Sequence, residues 1–280
     1  MSVDLPRRDI LSMTNKNMRV GVFDSGMGGL SVLVRALEIL PNEKFLYYAD
    51  KDNVPYGDKT KEQIIEYVDR AAAYMIDAGC KALVIACNTA TSVGVDFLRD
   101  KYDFIPIIGI EPAVKPAVLN YSAGKRVLVV ATPVTINGEK LDKLINEFDR
   151  EGIIDKLALP GLVNLAENNR FSKSEVVPYL KEEFRDLNMD DYGVVVLGCT
   201  HFPFFKDSFK EFMPNAKIID GAKGSSNYLK TRMGEEGLLA SPGEDKKGPR
   251  VLFVESGRIV EDSLEIKKLE SLLQRLRDLD

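Results

Sequence analysis

Two of the three cysteines in this chain follow similar stretches of sequence. Cys87 comes after the apolar run ALVIA at residues 82–86, and Cys199 comes after VVVLG at residues 194–198. Runs rich in Val, Ile and Leu are typical of strands buried in a parallel sheet. Each thiol is therefore predicted to lie at the carboxyl end of a strand, where such sheets bind ligands. Because a thiol can act as an acid or as a base, two equivalent thiols predict paired proton transfer.

The surroundings of the three cysteines distinguish them. An isolated cysteine is more often a packing residue than a catalytic one, and we interpret Cys80 in that way. Cys87 and Cys199 are each followed by small polar residues that can begin a helix. The amino terminus of such a helix is expected to lower the thiol pKa from its free value of about 8.5.

Polar side chains close to the two thiols in sequence are candidate partners. Those suited to bind a carboxylate are Asn88, Thr89 and Thr200. His201 is the only histidine in the chain and is predicted to exchange a proton with Cys199 or with a substrate group. Asp24 ends an earlier strand, and we interpret it as the corresponding helper of Cys87.

A glycine-rich loop, GMGG at residues 26–29, follows Asp24 and precedes an apolar-periodic segment. The loop lacks the lysine of a P-loop and the setting of a dinucleotide-binding loop. The carboxylate of Asp24 would also repel a phosphate group. The loop therefore indicates a site for an ammonium group or for a proton in transfer, and a simple tight turn is the alternative.

Strand and helix signals alternate along the chain, which predicts parallel sheets. Strands are predicted at residues 19–23, 44–49, 82–86, 126–131, 156–159, 194–198 and 250–254, and helices at 30–40, 60–79, 138–150 and 173–187. The segment MRVGVFDS at residues 18–25 is matched by KRVLVVAT at residues 125–132, which extends the similarity of the two cysteine motifs. The predicted fold class is α/β, with two pseudo-symmetric α/β domains that have parallel-sheet cores and an active site in the cleft between them.

The predicted domain limits follow from this duplication. Residues 1–17 are expected to be a flexible leader, residues 18–112 the first domain and residues 113–222 the second, with residues 223–280 packing back on the first. The C-terminal segment carries one apolar helical stripe, formed by Leu269, Leu272, Leu273, Leu276 and Leu279. We favour core packing for this stripe, and a homodimer contact is the alternative.

Composition narrows the class of protein. The chain has 280 residues, of which 45% are hydrophobic, and a net charge of -5, so no nucleic-acid partner is expected. Three cysteines do not suggest a disulfide framework, and no segment reads as a signal peptide or membrane span, so a cytoplasmic protein is expected. With one histidine and dispersed cysteines, no metal site is predicted.

Five motifs in a fixed order carry a family resemblance. They are FDSGMGGL at residues 23–30, VPYG at 54–57, ACNTA at 86–90, ATPVT at 131–135 and GCTHFP at 198–203. On these motifs the chain resembles the glutamate racemases of the cofactor-independent aspartate/glutamate racemase superfamily, from about residue 19 to residue 220.

The resemblance implies a mechanism and a set of site residues. It implies that Cys87 takes the α-proton from D-glutamate and Cys199 from L-glutamate, without pyridoxal phosphate or another cofactor, and that the D-glutamate supplies peptidoglycan synthesis. It adds Glu167 as an acidic residue that assists His201. The substrate-binding residues that it implies are Asp24, Ser25, Tyr56, Gly57, Asn88, Thr89, Thr132, Thr135, Thr200 and His201.

Two alternatives remain open at this stage. One is a related racemase or decarboxylase that acts on aspartate or another small acid, because the length of a substrate side chain cannot be inferred from these motifs. The other is a redox or binding protein in which Cys87 and Cys199 form a regulated disulfide. Loss of optical rotation by D-glutamate, without added cofactor, distinguishes the racemase from both.

Overall fold

The computed structural model describes residues 18–119, 124–242 and 248–280. The predicted leader at residues 1–17 lies outside the described residues. Within these three ranges, no helix is both long enough and apolar enough to cross a membrane.

Ten strands form two sheets in the described chain. They are β1 (Val20–Asp24), β2 (Phe45–Ala49), β3 (Ala82–Ile85), β4 (Ile107–Gly109), β5 (Arg126–Ala131), β6 (Ile154–Ala158), β7 (Tyr192–Leu197), β8 (Lys217–Asp220), β9 (Val251–Glu255) and β10 (Arg258–Ile259). The first sheet has the order β10-β9-β2-β1-β3-β4 and the second has the order β6-β5-β7-β8. All neighbours pair in parallel except β9 and β10, which are antiparallel.

The two sheets share one topology over four strands. The order β2-β1-β3-β4 in the first sheet corresponds to β6-β5-β7-β8 in the second. The strands that precede the two cysteine motifs, β3 and β7, therefore occupy equivalent positions. The predicted α/β class with two similar parallel-sheet cores is confirmed.

Helices follow most of the strands, as expected for parallel connections. Their bounds are α1 (Leu30–Ile39), α2 (Lys61–Asp77), α3 (Asn88–Lys101), α4 (Val114–Leu119), α5 (Pro133–Ile136), α6 (Glu139–Phe148), α7 (Pro160–Glu167), α8 (Lys173–Glu183), α9 (Lys206–Phe212), α10 (Ala222–Glu235) and α11 (Ser263–Asp278). The helices predicted from the sequence are present and differ by up to four residues at their ends. The start of α2 is sharp because Thr60 and Gln63 form a reciprocal capping box.

The C-terminal part of the chain returns to the first sheet. Strand β9 pairs in parallel with β2, so that Tyr47 lies beside Phe253. Helix α11 packs against α1, and four of the five leucines of its predicted stripe are buried, at Leu269, Leu272, Leu273 and Leu276. The stripe therefore lies in the core of this chain, and Leu279 caps the end of the helix.

A buried ion pair lies at the opposite end of the first sheet from the two cysteine motifs. The Nζ atom of Lys81, just before β3, is 2.7 Å from Oε2 of Glu43, just before β2, and their side chains are 0% and 2% exposed. The other carboxylate oxygen of Glu43 accepts a hydrogen bond from the main-chain N–H of Ala240 at 2.7 Å. The pair thus joins two strand ends to the segment that leads from α10 towards β9.

Candidate active site

A small cavity contains both cysteine motifs. It has a volume of about 50 Å³ and lies where the carboxyl ends of strands from the two sheets meet. Its lining consists of Ser25, Pro55, Tyr56, Gly57, Asp58, Cys87, Asn88, Thr89, Thr132, Pro133, Pro160, Val163, Asn164, Cys199, Thr200 and His201. A larger cavity, of about 760 Å³, is lined by Glu111, Lys217 and other residues and contains neither thiol. The smaller cavity is therefore the candidate site.

Cys87 lies at the amino terminus of α3 and carries a free, buried thiol. Its Sγ atom accepts a hydrogen bond from the N–H of Ala90 at 3.5 Å, and the thiol donates to Oγ of Ser25 at 3.6 Å. The expected lowering of the thiol pKa is wrong for Cys87. Burial, reinforced by the negative charge of Asp24, outweighs the helix N–H and raises the pKa to about 12.

Cys199 has a different set of neighbours. Its Sγ atom lies 3.7 Å from Nδ1 of His201, and Nε2 of His201 lies 2.6 Å from Oε1 of Glu167 at the end of α7. Burial lowers the pKa of His201, but its hydrogen bonds with Cys199 and Glu167 outweigh burial and hold that pKa well above its usual value. Burial raises the pKa of Glu167, but the contact with His201 outweighs burial and keeps it below its usual value. The imidazole can therefore donate to both neighbours.

Asp24 is fully buried and links the first sheet to the second cysteine motif. Its Oδ1 atom accepts a hydrogen bond from Oγ1 of Thr200 at 3.0 Å, and Oδ2 accepts from the N–H of Gly26 at 3.0 Å. Burial raises the pKa of Asp24, although the nearby His201 opposes this. The hydrogen-bond partner of the Cys87 thiol is Ser25 rather than Asp24, so Asp24 acts on Cys87 through its charge.

Hydroxyl groups form a chain across the cavity between the two halves. Thr89 Oγ1, after β3, lies 2.9 Å from Thr132 Oγ1, after β5, and Thr132 donates to Thr135 at 3.1 Å. Among the described residues, nothing hydrogen-bonds the buried Oδ1 atom of Asn88. This wall offers the neutral donors and acceptors that a bound carboxylate or ammonium group requires.

Two glycines allow the first half to approach Glu167 and His201 of the second half. A Cβ atom on Gly26 would lie 1.9 Å from Oε1 of Glu167, and one on Gly28 would lie 2.6 Å from Nδ1 of His201. Neither contact is sterically possible. The loop is therefore more than a tight turn, because its glycines let main chain pack directly on Glu167 and His201.

The structure brings all the predicted site residues together. Those that line the cavity are Ser25, Tyr56, Gly57, Cys87, Asn88, Thr89, Thr132, Cys199, Thr200 and His201. The remaining three, Asp24, Thr135 and Glu167, lie one hydrogen bond behind it, on Thr200, Thr132 and His201 respectively. Cys80 is buried away from the cavity, with its pKa raised to about 12 mainly by burial.

Sequence reasoning missed Asp50, a polar group that supports the site. Asp50 directly follows β2 and accepts hydrogen bonds from the hydroxyl of Tyr56 at 2.7 Å and from the side chain of Asn53 at 3.0 Å. Ser256, after β9, also donates to Asp50 at 3.2 Å. A carboxylate at the end of a buried strand was the available signal, since Asp24 was identified in the same way.

Comparisons with known proteins agree with this geometry. The sequence profile of the Asp/Glu/hydantoin racemase family matches residues 34–224. A glutamate racemase of Lachnospira eligens is 48% identical over 267 residues, which cover 94% of this chain and 100% of that protein.

Solved structures show the same fold. Glutamate racemase of Francisella tularensis in complex with D-glutamate superposes with a TM-score of 0.77 at 29% identity, covering 93% of this chain and 95% of that one. The Escherichia coli enzyme in complex with L-glutamate and the activator UDP-MurNAc-ala gives 0.76 at 27% identity, covering 92% and 95%. In sequence and in fold, this chain belongs to the Asp/Glu/hydantoin racemase family, as an isomerase of the glutamate racemase type.

Proposed function

We propose that this enzyme interconverts L- and D-glutamate by moving the Cα proton between the enzyme and opposite faces of the substrate, with Cys87 and Cys199 as the two bases. The observation that carries the proposal is the presence of two free thiols, from equivalent strand ends, in one cavity. Relatives that bind D-glutamate and L-glutamate support glutamate as the substrate. We propose further that the D-glutamate supplies peptidoglycan synthesis.

The proposed binding mode follows from the polar lining. The hydroxyls of Ser25, Thr89 and Thr132, with the side chain of Asn88 and the loop at Tyr56–Gly57, suit the two carboxylates of glutamate. The buried charge of Asp24, behind Thr200, favours a bound ammonium group. A cavity of about 50 Å³ holds only a few waters, so we expect the site to widen as glutamate enters and then to exclude bulk water around it.

The proton balance in the direction from L-glutamate is as follows. The thiolate of Cys199 takes the Cα proton, and the Cys87 thiol gives its own proton to the opposite face of the carbanion. This leaves a Cys199 thiol and a Cys87 thiolate, and exchange with solvent restores the starting form. The raised pKa of Cys87 keeps its proton in place at neutral pH, as a donor requires.

Partners on each side of the cavity have separate roles in this scheme. His201 is expected to stabilise the thiolate of Cys199 by donating a hydrogen bond from Nδ1 while Nε2 is held by Glu167. Asp24 is expected to help Cys87 act on D-glutamate, because its nearby carboxylate can attract the thiol proton as that proton leaves Cys87. The two thiols are thus supported by different groups.

Racemisation in heavy water tests the proposed function. We expect the product to carry deuterium at Cα in both directions, because each thiol exchanges with solvent before it donates. Purified enzyme with no added cofactor is incubated with each enantiomer, and early product is analysed by mass spectrometry. Product that retains the original proton would contradict separate donor and acceptor thiols, and no turnover of glutamate would contradict the function itself. D-Aspartate in a parallel reaction tests the alternative substrate.

Substitutions at the two supporting groups should affect the two directions unequally. We expect His201→Asn to lower kcat from L-glutamate by about 10- to 100-fold and to lower kcat from D-glutamate less. Asp24→Asn should lower kcat from D-glutamate more than kcat from L-glutamate. The equilibrium keeps the ratio of the two kcat/KM values constant, so the asymmetry must be read from kcat and KM separately.

The measurement is the initial rate at saturating concentrations of each enantiomer. Asp186→Asn makes the same chemical change at a carboxylate whose side chain is 89% exposed, and it should leave both rates unchanged. Equal proportional loss of both kcat values in His201→Asn and Asp24→Asn would show that neither residue serves one thiol in particular.

A further inference from the structure

A buried tyrosine outside the cavity holds the glycine loop in place. Tyr47 lies in β2 and is 1% exposed, and its hydroxyl donates a hydrogen bond to the main-chain carbonyl of Gly26 at 2.7 Å. The ring packs edge-on against Phe253, with the ring centres 6.2 Å apart. Breaking this bond would leave a buried hydroxyl without a partner, which costs free energy. The bond therefore holds the Gly26 carbonyl in position.

The peptide held by Tyr47 leads directly to the group that orients His201. The next N–H, from Met27, donates to Oε1 of Glu167 at 2.8 Å, and the same oxygen lies 2.6 Å from Nε2 of His201. The absence of a side chain at Gly26 makes this approach possible. One peptide unit is therefore held on its carbonyl side by the first sheet, while its N–H binds the carboxylate of the second half.

We propose that Tyr47 is a positioning residue for His201, acting through the Gly26–Met27 peptide and Glu167. The Tyr47 hydroxyl fixes the orientation of the peptide and therefore the direction of the Met27 N–H. That N–H positions the carboxylate of Glu167, and the carboxylate orients the imidazole of His201 towards Cys199. The kinetic part of this inference rests on the proposed function, whereas the placement of the imidazole does not.

Charged and titratable groups around His201 determine what displacement of Glu167 would do. The imidazole faces Cys199 on its own turn and Glu167 on α7, with Asp24 of β1 nearby, and Lys51 in turn acts on Glu167. The contact with Glu167 raises the pKa of His201. Loosening that contact should lower the pKa of His201, because the imidazolium is then stabilised by less negative charge.

The test compares Tyr47→Phe with Tyr48→Phe. The change at Tyr47 removes the hydroxyl and keeps the ring. Tyr48 is the neighbouring residue on β2, is 4% exposed and packs on the other face of the sheet against Phe23 and Tyr74, so it is a matched control. Because His201 is the only histidine in the chain, its imidazole signals in a nuclear magnetic resonance titration need no further assignment.

We expect Tyr47→Phe to lower the His201 titration midpoint by about 0.5 to 1 pH and to lower kcat from L-glutamate by about 3- to 10-fold. KM should change little, because Tyr47 does not line the cavity. Tyr48→Phe should leave the midpoint and kcat unchanged. Glu167→Gln should lower the midpoint further, because it removes the charge itself.

A double variant tests whether Tyr47 acts through Glu167. In the Glu167→Gln background, Tyr47→Phe should lower the midpoint and kcat by much less than it does alone, because residues that act in series are not additive. Full additivity in the double variant would overturn the proposed route, and a Tyr47→Phe enzyme indistinguishable from Tyr48→Phe would overturn the positioning role. Either result is distinct from failure of the proposed function, which would be a wild-type enzyme that does not racemise glutamate.

Discussion

Replacing either Cys87 or Cys199 with alanine is expected to abolish racemisation, lowering kcat/KM by at least about 10⁴-fold in both directions. In the proposed mechanism each thiol serves one face of Cα, so the loss of one would remove either the base or the acid from every complete turnover. We expect that neither thiol can replace the other, because they follow different strands, β3 and β7, in the two sheets. The initial rate is measured from each enantiomer, and a circular dichroism spectrum of each variant checks its fold.

Cys80→Ala provides the matched control for this experiment. Cys80 carries the third free thiol, buried in the core beside the first sheet and away from the cavity. Its replacement should leave activity close to that of the wild type. A Cys87→Ala or Cys199→Ala enzyme that keeps near wild-type activity and a native circular dichroism spectrum would exclude the two-base mechanism.

The largest expected effect on stability comes from the buried ion pair. Lys81→Met should lower the free energy of unfolding by about 3–5 kcal/mol, because it leaves the carboxylate of Glu43 buried without its cation. Replacing both residues, as Lys81→Met with Glu43→Leu, should recover much of that loss. The measurement is urea unfolding followed by circular dichroism.

A surface pair serves as the comparison for this prediction. Lys156 and Asp142 are 2.8 Å apart, but their side chains are 32% and 52% exposed. Lys156→Met should therefore change the free energy of unfolding by no more than about 1 kcal/mol. Equal effects of the two lysine substitutions would show that burial of the Glu43–Lys81 pair does not matter.

Features that depend on local sequence were predictable. The strands β3 and β7 and the thiols that follow them were identified from apolar runs that stop at a cysteine. The ends of such a strand are marked in the sequence itself, where the apolar run stops. A parallel sheet then places the carboxyl ends of its strands at one edge. The same reasoning placed Asp24 at the site, although it did not show that Thr200 would be its partner.

Features that depend on distant contacts were not predictable in the same way. Glu167 was identified only through the family resemblance, since its bond to the Met27 N–H joins residues 140 positions apart. Tyr47 was missed because every residue of β2 is buried, so the strand has no alternation that would single out one hydroxyl. The pKa of Cys87 was predicted in the wrong direction because the depth of burial cannot be read from a helix start.

The pairing of β9 with β2 has a consequence for the order in which the nascent chain can fold. All four strands of the second sheet lie between residues 126 and 220, so that sheet can assemble as soon as its own segment has left the ribosome. Strand β2 cannot pair with β9 until about 200 further residues have been synthesised, which takes roughly 10–40 s of translation. During that interval the apolar strand FLYYA presents an unpaired edge. The apolar edge of β2 is thus synthesised well before the strand that covers it, with the whole second sheet between them in the sequence.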